Sequence, residues 1–209
     1  MIPKTESFPR LYLASQSPRR KEILDNLGVA YTSFCSPYVE GNEDFSHLSP
    51  IEQASKLAAL KAFHGAKTLH EGIVIGADTI VVYENSIFGK PKDRDDACRM
   101  LEILSGKTHK VITGIAVVDV ERLTTVSDAE VTKVSFRGLS EREIKIYLQT
   151  KEPYDKAGAY AIQGFASLFI ERIEGCYYNV VGFPVIRFGK VLKEIGLNLI
   201  DYISLEKAQ

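Results

Sequence analysis

Blocks of apolar and polar positions alternate along the chain in a pattern that predicts strands and helices in mixed order. Runs that are apolar on both faces are typical of buried strands, and such runs are bounded here by Gly, Pro or charged residues. The predicted strands are Leu11–Ala14, Val29–Cys35, Gly72–Tyr83, Val111–Val120, Thr124–Phe136 and Ser167–Ile173. Val111–Val120 and Thr124–Phe136 are close enough in sequence to form a hairpin across residues 119–123.

Capping residues mark the helices. Ser17-Pro18 opens the first, and Ser49 and Ser140 each stand three residues before a Glu, which is the capping-box spacing. The predicted helices run from Ser17 to Gly28, from Ser49 towards His70, from Asp93 to Ser105, from Ser140 to about Thr150 and from Pro184 to Ile195. The pattern predicts an α/β fold with a mixed sheet and flanking helices. Because no linker or repeat interrupts it, residues 1–209 are expected to form a single domain.

The near-zero net charge argues against a nucleic-acid partner. There are 26 Lys and Arg against 27 Asp and Glu, a formal net charge of −1. A general nucleic-acid coat protein needs excess positive charge, and the aromatic residues here lie inside apolar segments. We therefore expect no nucleic-acid partner, although a small, locally basic site is still allowed.

Cysteine usage and hydropathy point to a cytoplasmic protein. Cys35, Cys98 and Cys176 are odd in number and far apart, so they form neither a disulfide framework nor a zinc motif, which fits a reducing compartment. The N-terminal residues lack the apolar core of a signal peptide, and the longest apolar runs are too short to span a bilayer. The sequence therefore predicts no membrane partner, and it leaves a homodimer open.

A cluster of cations stands where a helix normally avoids them. Arg19, Arg20 and Lys21 follow Ser17-Pro18 in the first turn of a predicted helix, where the macrodipole is already positive. Either this is a solvated basic turn, or an anion such as a phosphate binds among the N–H groups, hydroxyls and guanidinium groups.

Asp78 is a carboxylate inside an otherwise apolar strand, next to Thr79. Burial of a carboxylate is costly unless the group is paired, protonated or bound to a metal. It could therefore be a general base, a Mg²⁺ ligand or a salt-bridged core residue. Since one carboxylate is a weak ligand set, a metal site needs a second acidic group, and Glu40 is the leading candidate.

Two further motifs offer hydrogen-bond donors for a ligand, and two others do not match known binding motifs. Lys90 lies in a Gly-Lys-Pro turn and is either a loop cation or a second phosphate clamp, and Gln163 follows a stretch of small residues that could admit a nucleotide base. Gly106-Lys107-Thr108 is not a P-loop, because position 101 is Leu and the segment follows a helix. The histidines show no metal-ligand spacing, so we expect most of them to be solvated.

Together these motifs resemble the Maf family. The resemblance rests on Ser-x-Ser-Pro-Arg-Arg, Gly-Ala-Asp-Thr, Lys-Pro, Leu-Ser-Gly and Asp-Lys-Ala-Gly-x-Tyr-x-Ile-Gln-Gly, in that order from about Leu11 to Ile195. It implies an elongated two-lobed α/β fold, similar to inosine triphosphate pyrophosphatases, with a central cleft. It also implies hydrolysis of a nucleoside triphosphate to the monophosphate and pyrophosphate with Mg²⁺ or Mn²⁺.

The same resemblance assigns roles to individual residues. It makes Asp78 the proton acceptor and a metal ligand, and Glu40 the other acidic metal ligand. Positions that contact phosphate are Ser17, Arg20, Lys61 and Lys90. Positions that mark the subfamily acting on dTTP and UTP are Arg19, Thr79 and Gln163.

The chain offers no candidate Ser–His or Cys–His pair, so the hypothesis is direct attack of water on the α-phosphorus. The alternative from another class is a non-catalytic regulator of cell division that binds nucleotides. Release of pyrophosphate from a nucleotide panel would separate the two.

Overall fold

Seven strands form one mixed sheet in a computed structural model that describes residues 8–39, 41, 43–122 and 124–204. The strands are β1 (Leu11–Ala14), β2 (Thr32–Phe34), β3 (Ile73–Tyr83), β4 (Ser86–Phe88), β5 (Thr108–Asp119), β6 (Thr124–Phe136) and β7 (Ile170–Glu174). Their order is β2-β1-β3-β5-β6-β7, and β4 also pairs with β3. β1 is parallel to β2 and β3, whereas the pairs β3–β5, β5–β6 and β6–β7 are antiparallel. The predicted α/β class with a mixed sheet and flanking helices is confirmed.

The helices are α1 (Pro18–Asn26), α2 (Pro50–Ala66), α3 (Arg94–Leu104), α4 (Glu141–Tyr147), α5 (Tyr177–Val181) and α6 (Val185–Glu194). The capping boxes predicted at Ser49 and Ser140 are both formed, and Asp93 caps α3. Ser17 occupies the N-cap position of α1, but its side chain makes no capping hydrogen bond. Its hydroxyl is therefore not committed to its own helix.

Two predicted strands have different limits. The strand expected at Ser167–Ile173 begins only at Ile170, because residues 165–169 form a 3₁₀ helix. That turn is held by Glu152, whose carboxylate accepts the N–H groups of Phe165 and Ala166. The strand expected at residues 29–35 is reduced to β2, since Val29 pairs instead with Ile203 in an isolated bridge.

The short elements β4 and α5 were not predicted. His47 and His70 are exposed, as expected of most histidines, and His109 is the exception because it is only 2% exposed. It lies among Phe136 and Tyr160, and its Nε2 is 2.7 Å from the Tyr160 hydroxyl. No helix in the described ranges is both long enough and apolar enough to cross a membrane.

Helix α2 lies unusually close to one face of the sheet. A Cβ atom added to Gly76 would be 2.2 Å from the Ala58 carbonyl oxygen, and one added to Gly114 would be 2.0 Å from that of Ala54. Such distances are far below van der Waals contact, so only glycine fits at either strand position. The close packing fixes the height of α2 above β3, which decides what its side chains can reach.

The opposite face of the sheet carries two separate hydrophobic clusters. In β3, Ile75 and Ala77 belong to a cluster with α1 and α6, whereas Val81 belongs to a cluster with α3 and α4. Between them stand Thr79 and, on the neighbouring strand, Thr113. A polar seam therefore separates two apolar cores on one continuous sheet.

One edge of β3 is left open in its middle. β1 pairs with β3 as far as Ile75, and β4 pairs with it from Val81 onwards, while β5 covers the other edge throughout. Within the described part of the chain, residues 76–80 have no strand on the first edge. This interruption includes Asp78 and Thr79 and lies beyond the end of the parallel strand β1, a position where α/β sheets commonly bind ligands.

Candidate functional site

The basic first turn of α1 lies beside the open part of β3. Arg20 donates from Nη2 to the Thr79 hydroxyl at 3.2 Å and from Nη1 to the Ser15 hydroxyl at 3.1 Å. The Ser15 hydroxyl also accepts the Ser17 N–H at 3.2 Å, which folds the chain tightly ahead of the helix. Since the first N–H groups of a helix have no intrahelical partner, this turn combines donors and cations in a form suited to an anion.

Arg19 and Arg20 are both anchored by backbone carbonyl groups at the end of α5. The Nε of Arg19 donates to the Val181 oxygen at 3.3 Å, and the Nε of Arg20 donates to the Gly182 oxygen at 2.9 Å. Desolvation lowers the pKa of Arg19, while the charges of Asp155 and Glu152 act in the opposite direction. A partly desolvated guanidinium group gains more from an incoming anion than a fully hydrated one does.

Asp78 lies on the other face of β3, towards α2, because successive strand residues point to opposite faces. Its Oδ1 is 2.5 Å from the Nζ of Lys61. Both groups are largely buried, with side-chain exposures of 11% for Asp78 and 18% for Lys61. Of the three interpretations left open for Asp78, the ion pair is present in this structure, and it lies in the same open segment as Thr79.

The fit of a divalent metal depends on what remains available around Asp78. Its second carboxylate oxygen makes no hydrogen bond to any residue that the structure describes, so it can accept a metal ion or a water molecule. No group of three or more His, Cys, Asp or Glu side chains that could hold a metal occurs in the described ranges. Glu40, the second ligand suggested by the family resemblance, lies outside the described residues. A carboxylate oxygen is the kind of ligand that Mg²⁺ prefers, and the ion usually completes its shell with water and substrate phosphates.

The loop that carries Gln163 crosses between the two apolar cores. Ala159 and Tyr160 are buried in the cluster with α3 and α4, whereas Ile162 packs against the cluster with α1 and α6. Gln163 itself is exposed at the crossing. The loop thus presents an amide side chain at the boundary between the cores.

Lys90 is exposed in the turn that follows β4. That turn contacts the same loop, because the Gly158 N–H donates to the Gly89 oxygen at 3.0 Å. The predicted residues therefore fall into three groups. On one face of β3, Arg20 contacts Thr79, and both Arg19 and Arg20 are held by carbonyl groups at the end of α5. On the other face, Asp78 contacts Lys61. Lys90 and Gln163 lie in the two loops that pack against each other.

Sequence reasoning missed Asn179, which is fully buried beneath the site. Its side chain accepts the Thr113 N–H and donates to Val111 O and to the Thr132 hydroxyl. The available signal was that Asn179 is a single polar residue in the apolar stretch before Gly182. This signal is weak, because an asparagine near a glycine is more often found at the surface of a loop.

The fold and site thus define an α/β protein with cationic side chains beside the interrupted edge of β3 and a largely buried carboxylate. The chain belongs to the family described as Maf-like protein, whose family model matches residues 10–195. This match confirms the family resemblance seen in the motifs.

Relatives match nearly the whole chain. A protein of Alkaliphilus oremlandii named dTTP/UTP pyrophosphatase is 52% identical over 185 residues, which covers 88% of this chain and 95% of that protein. A protein of Carboxydothermus hydrogenoformans with the same name is 45% identical over 187 residues, covering 90% and 99%. Among solved structures, the Ham1 protein of Staphylococcus aureus matches with a TM-score of 0.46 and 13% identity, covering 89% of this chain and 97% of that one. That structural similarity is too low to support conclusions about the site.

Proposed function

We propose that this chain hydrolyses dTTP and UTP to the nucleoside monophosphate and pyrophosphate. The names of relatives that are 45–52% identical support the activity. The observation that carries the proposal is the Asp78–Lys61 pair in the open segment of β3, one residue from the Thr79 that Arg20 contacts. One cation, Lys61, thus contacts the carboxylate of Asp78, and a second, Arg20, contacts the next residue along the same strand.

The cations bind the triphosphate in this proposal. Arg20 and Ser17 offer donors at the start of α1, and Lys61 and Lys90 add positive charge from α2 and from the turn after β4. Fixed donors of this kind neutralise the negative charge that develops on phosphate oxygens in the transition state. The neutral net charge of the whole chain is compatible with this role, because the positive groups are concentrated locally.

Asp78 positions and deprotonates the attacking water. In the structure its Oδ1 is occupied by Lys61. Phosphate oxygens of an incoming substrate compete for the same ammonium group, and Oδ1 is then free to accept a hydrogen bond from the attacking water. Lys61 therefore has two alternative partners in this proposal: the Asp78 carboxylate in the absence of substrate, and the phosphate oxygens when substrate is bound.

A divalent cation is part of the proposal. Asp78, with Glu40 and the substrate phosphates, would hold Mg²⁺ or Mn²⁺, and the bound ion would supply Lewis-acid charge neutralisation. The three cysteines, which are free thiols, fit the reducing cytoplasm that we propose as the place of work.

Gln163 reads the base in this proposal, together with Arg19 and Thr79. An amide offers one acceptor and two donors, which suits the donor and acceptor edge of uracil or thymine. Replacement Gln163→Ala should reduce the preference for dTTP over dCTP about tenfold while affecting total phosphate affinity less. The control is Gln149→Ala, an exposed glutamine at the end of α4. Equal losses for every nucleotide would contradict a base-reading role.

The direct test is release of pyrophosphate from a panel of nucleoside triphosphates with Mg²⁺, with and without a chelator. The expected result is pyrophosphate from dTTP and UTP, lost when the metal is chelated. Binding of nucleotides without release from any of them would instead support the non-catalytic regulator.

A further inference from the structure

A polar seam leads from Arg20 into the interior of the protein. Thr79 contacts Thr113 with their hydroxyl oxygens 3.0 Å apart, and the Thr113 hydroxyl donates to the Asn179 carbonyl oxygen at 2.9 Å. Because each hydroxyl has one hydrogen, these contacts allow only one direction. Arg20 donates to Thr79, Thr79 donates to Thr113, and Thr113 donates to Asn179.

Asn179 ties α5 to the sheet. Its Oδ1 accepts the Thr113 N–H at 3.1 Å, and its Nδ2 donates to the Val111 oxygen at 3.0 Å and to the Thr132 hydroxyl at 2.9 Å. The side-chain amide is thus satisfied on both of its polar atoms and is 0% exposed. A fully satisfied buried amide specifies one position for the segment that carries it, because any other position would leave polar groups unpaired.

That segment supplies the carbonyl groups that hold both arginines. Val181 and Gly182 follow Asn179 by two and three residues, and their oxygens accept the Nε–H groups of Arg19 and Arg20. The backbone there is shaped by Gly182, whose φ is +116°, and a Cβ at this position would be 3.3 Å from the Thr79 hydroxyl oxygen. The segment from Asn179 to Gly182 therefore holds Arg20 in two ways. The Gly182 carbonyl group accepts a hydrogen bond from Arg20 directly, and the Asn179 carbonyl group is linked to Arg20 through the hydroxyls of Thr113 and Thr79.

We infer that Asn179 and Thr113 are positioning residues that orient the guanidinium groups of Arg19 and Arg20 for the triphosphate. They touch no substrate themselves. They fix the α5 carbonyl oxygens and the Thr79 hydroxyl, which together hold the two guanidinium groups. The inference rests on the proposed pyrophosphatase function for its kinetic consequence, while the geometric claim stands on the hydrogen bonds alone.

The test compares Thr113→Val, Thr113→Ser and Thr108→Val. Valine keeps the volume of threonine and removes the hydroxyl, so it interrupts the series of hydrogen bonds from Arg20 to Asn179 without opening a large cavity. Thr108 is a control for loss of a threonine hydroxyl at an exposed position of the same strand, because its hydroxyl pairs across to Ser135 at 2.8 Å and contacts neither α5 nor Arg19 and Arg20. Asn179→Ala is the more direct change, but it removes three hydrogen bonds at once and is therefore more harmful to folding.

The expected kinetic result is a KM for dTTP that rises about five- to tenfold in Thr113→Val, the cost of about one hydrogen bond, with a smaller change in kcat. Thr113→Ser should restore KM, since it restores the hydroxyl, and Thr108→Val should leave KM unchanged. Equal KM in Thr113→Val and wild type, or an equal rise in Thr108→Val, would overturn the inference.

A second readout is independent of turnover. In the free wild-type protein, the Nε–H protons of Arg19 and Arg20 should exchange slowly with water by NMR because carbonyl groups accept them, and exchange should be several-fold faster in Thr113→Val. Unchanged exchange would overturn the positioning role. Absence of pyrophosphate release from the wild-type protein would instead overturn the proposed function and leave this measurement to decide the geometry.

Discussion

The two faces of β3 at its open segment are built in contrasting ways. Towards α2, small residues bring the helix onto the sheet and place the Lys61 ammonium against the Asp78 carboxylate. On the other face, Arg20 donates to the first hydroxyl of a series of hydrogen bonds that continues from Thr79 into the interior. One face presents a compact ion pair and the other an extended set of oriented donors.

This difference suggests a division of labour within one strand. An ion pair can be opened by a competing anion, which frees its carboxylate to bind a water molecule, so the α2 face is suited to chemistry. A satisfied network holds its donors in place at little cost when a ligand enters, so the Thr79 face is suited to binding. Adjacent residues of a strand can serve both functions because their side chains point to opposite faces.

The largest expected effect comes from removing the charge on the α2 face. Asp78→Asn keeps the shape of the side chain and abolishes its basicity, so kcat for dTTP should fall by about 10²- to 10⁴-fold. Steady-state release of pyrophosphate measures it. The control is Asp128→Asn, which loses the charge of a strand carboxylate that is paired with Arg187 at 2.7 Å and lies on β6, two strands across the sheet from β3. Near-normal turnover in Asp78→Asn would refute the role of that carboxylate.

The close packing of α2 can be broken separately. Gly76→Ala places a methyl group 2.2 Å from the Ala58 carbonyl oxygen, so helix and sheet must move apart. We expect a loss of about 3 kcal/mol in the free energy of unfolding, at the upper end of overpacking effects, together with a weakened Lys61–Asp78 contact. Urea denaturation measures the loss. Gly138→Ala, with nothing within 4 Å of the added atom, should change stability little, and a similar loss in both variants would argue against the packing explanation.

Acid should affect the Thr79 face first, because the buried His109 lies on the same side of β5 as Thr113. Burial lowers the pKa of His109 from its ordinary value of 6.5 to about 4. Stability gained by keeping this imidazole neutral is therefore full above pH 6.5 and is lost as the pH falls from 6.5 towards 4. The expected loss between pH 8 and pH 5 is about 2 kcal/mol from this group.

Denaturation at several pH values checks that loss. His109→Phe, which suits the aromatic contacts to Phe136 and Tyr160, should be less stable at pH 8 but should show a flatter dependence on pH between 6.5 and 5. An unchanged pH dependence in that variant would show that other groups control acid stability.

Local patterns were enough to predict most of the framework. Ser49 and Ser140 begin helices because their capping boxes are complete within four residues, and β3 is apolar along nearly its whole length. The same locality explains why Asp78 stood out, since a carboxylate in such a strand needs a partner. The identity of that partner depended on how α2 docks, which no short pattern contains.

The parts that escaped prediction are those defined by distant contacts. α5 has only five residues, too few for a helical period, and it is held by Asn179 through β5 and β6. The 3₁₀ turn at residues 165–169 depends on Glu152, which is more than ten residues away along the chain. Asn179 therefore became visible as a site component only when the hydrogen bonds of the folded chain were known.

The division of labour is tested most directly by measuring dTTP binding to Asp78→Asn and Arg20→Ala side by side, by titration calorimetry with Mg²⁺. If the Thr79 face binds and the α2 face catalyses, Asp78→Asn should keep dTTP affinity within a few-fold of the wild-type protein, since the loss of one metal ligand is offset by removal of a negative charge near the phosphates. Arg20→Ala should bind it about thirtyfold more weakly, the cost of lost charge-assisted hydrogen bonds. Loss of binding in Asp78→Asn with retained binding in Arg20→Ala would contradict the account.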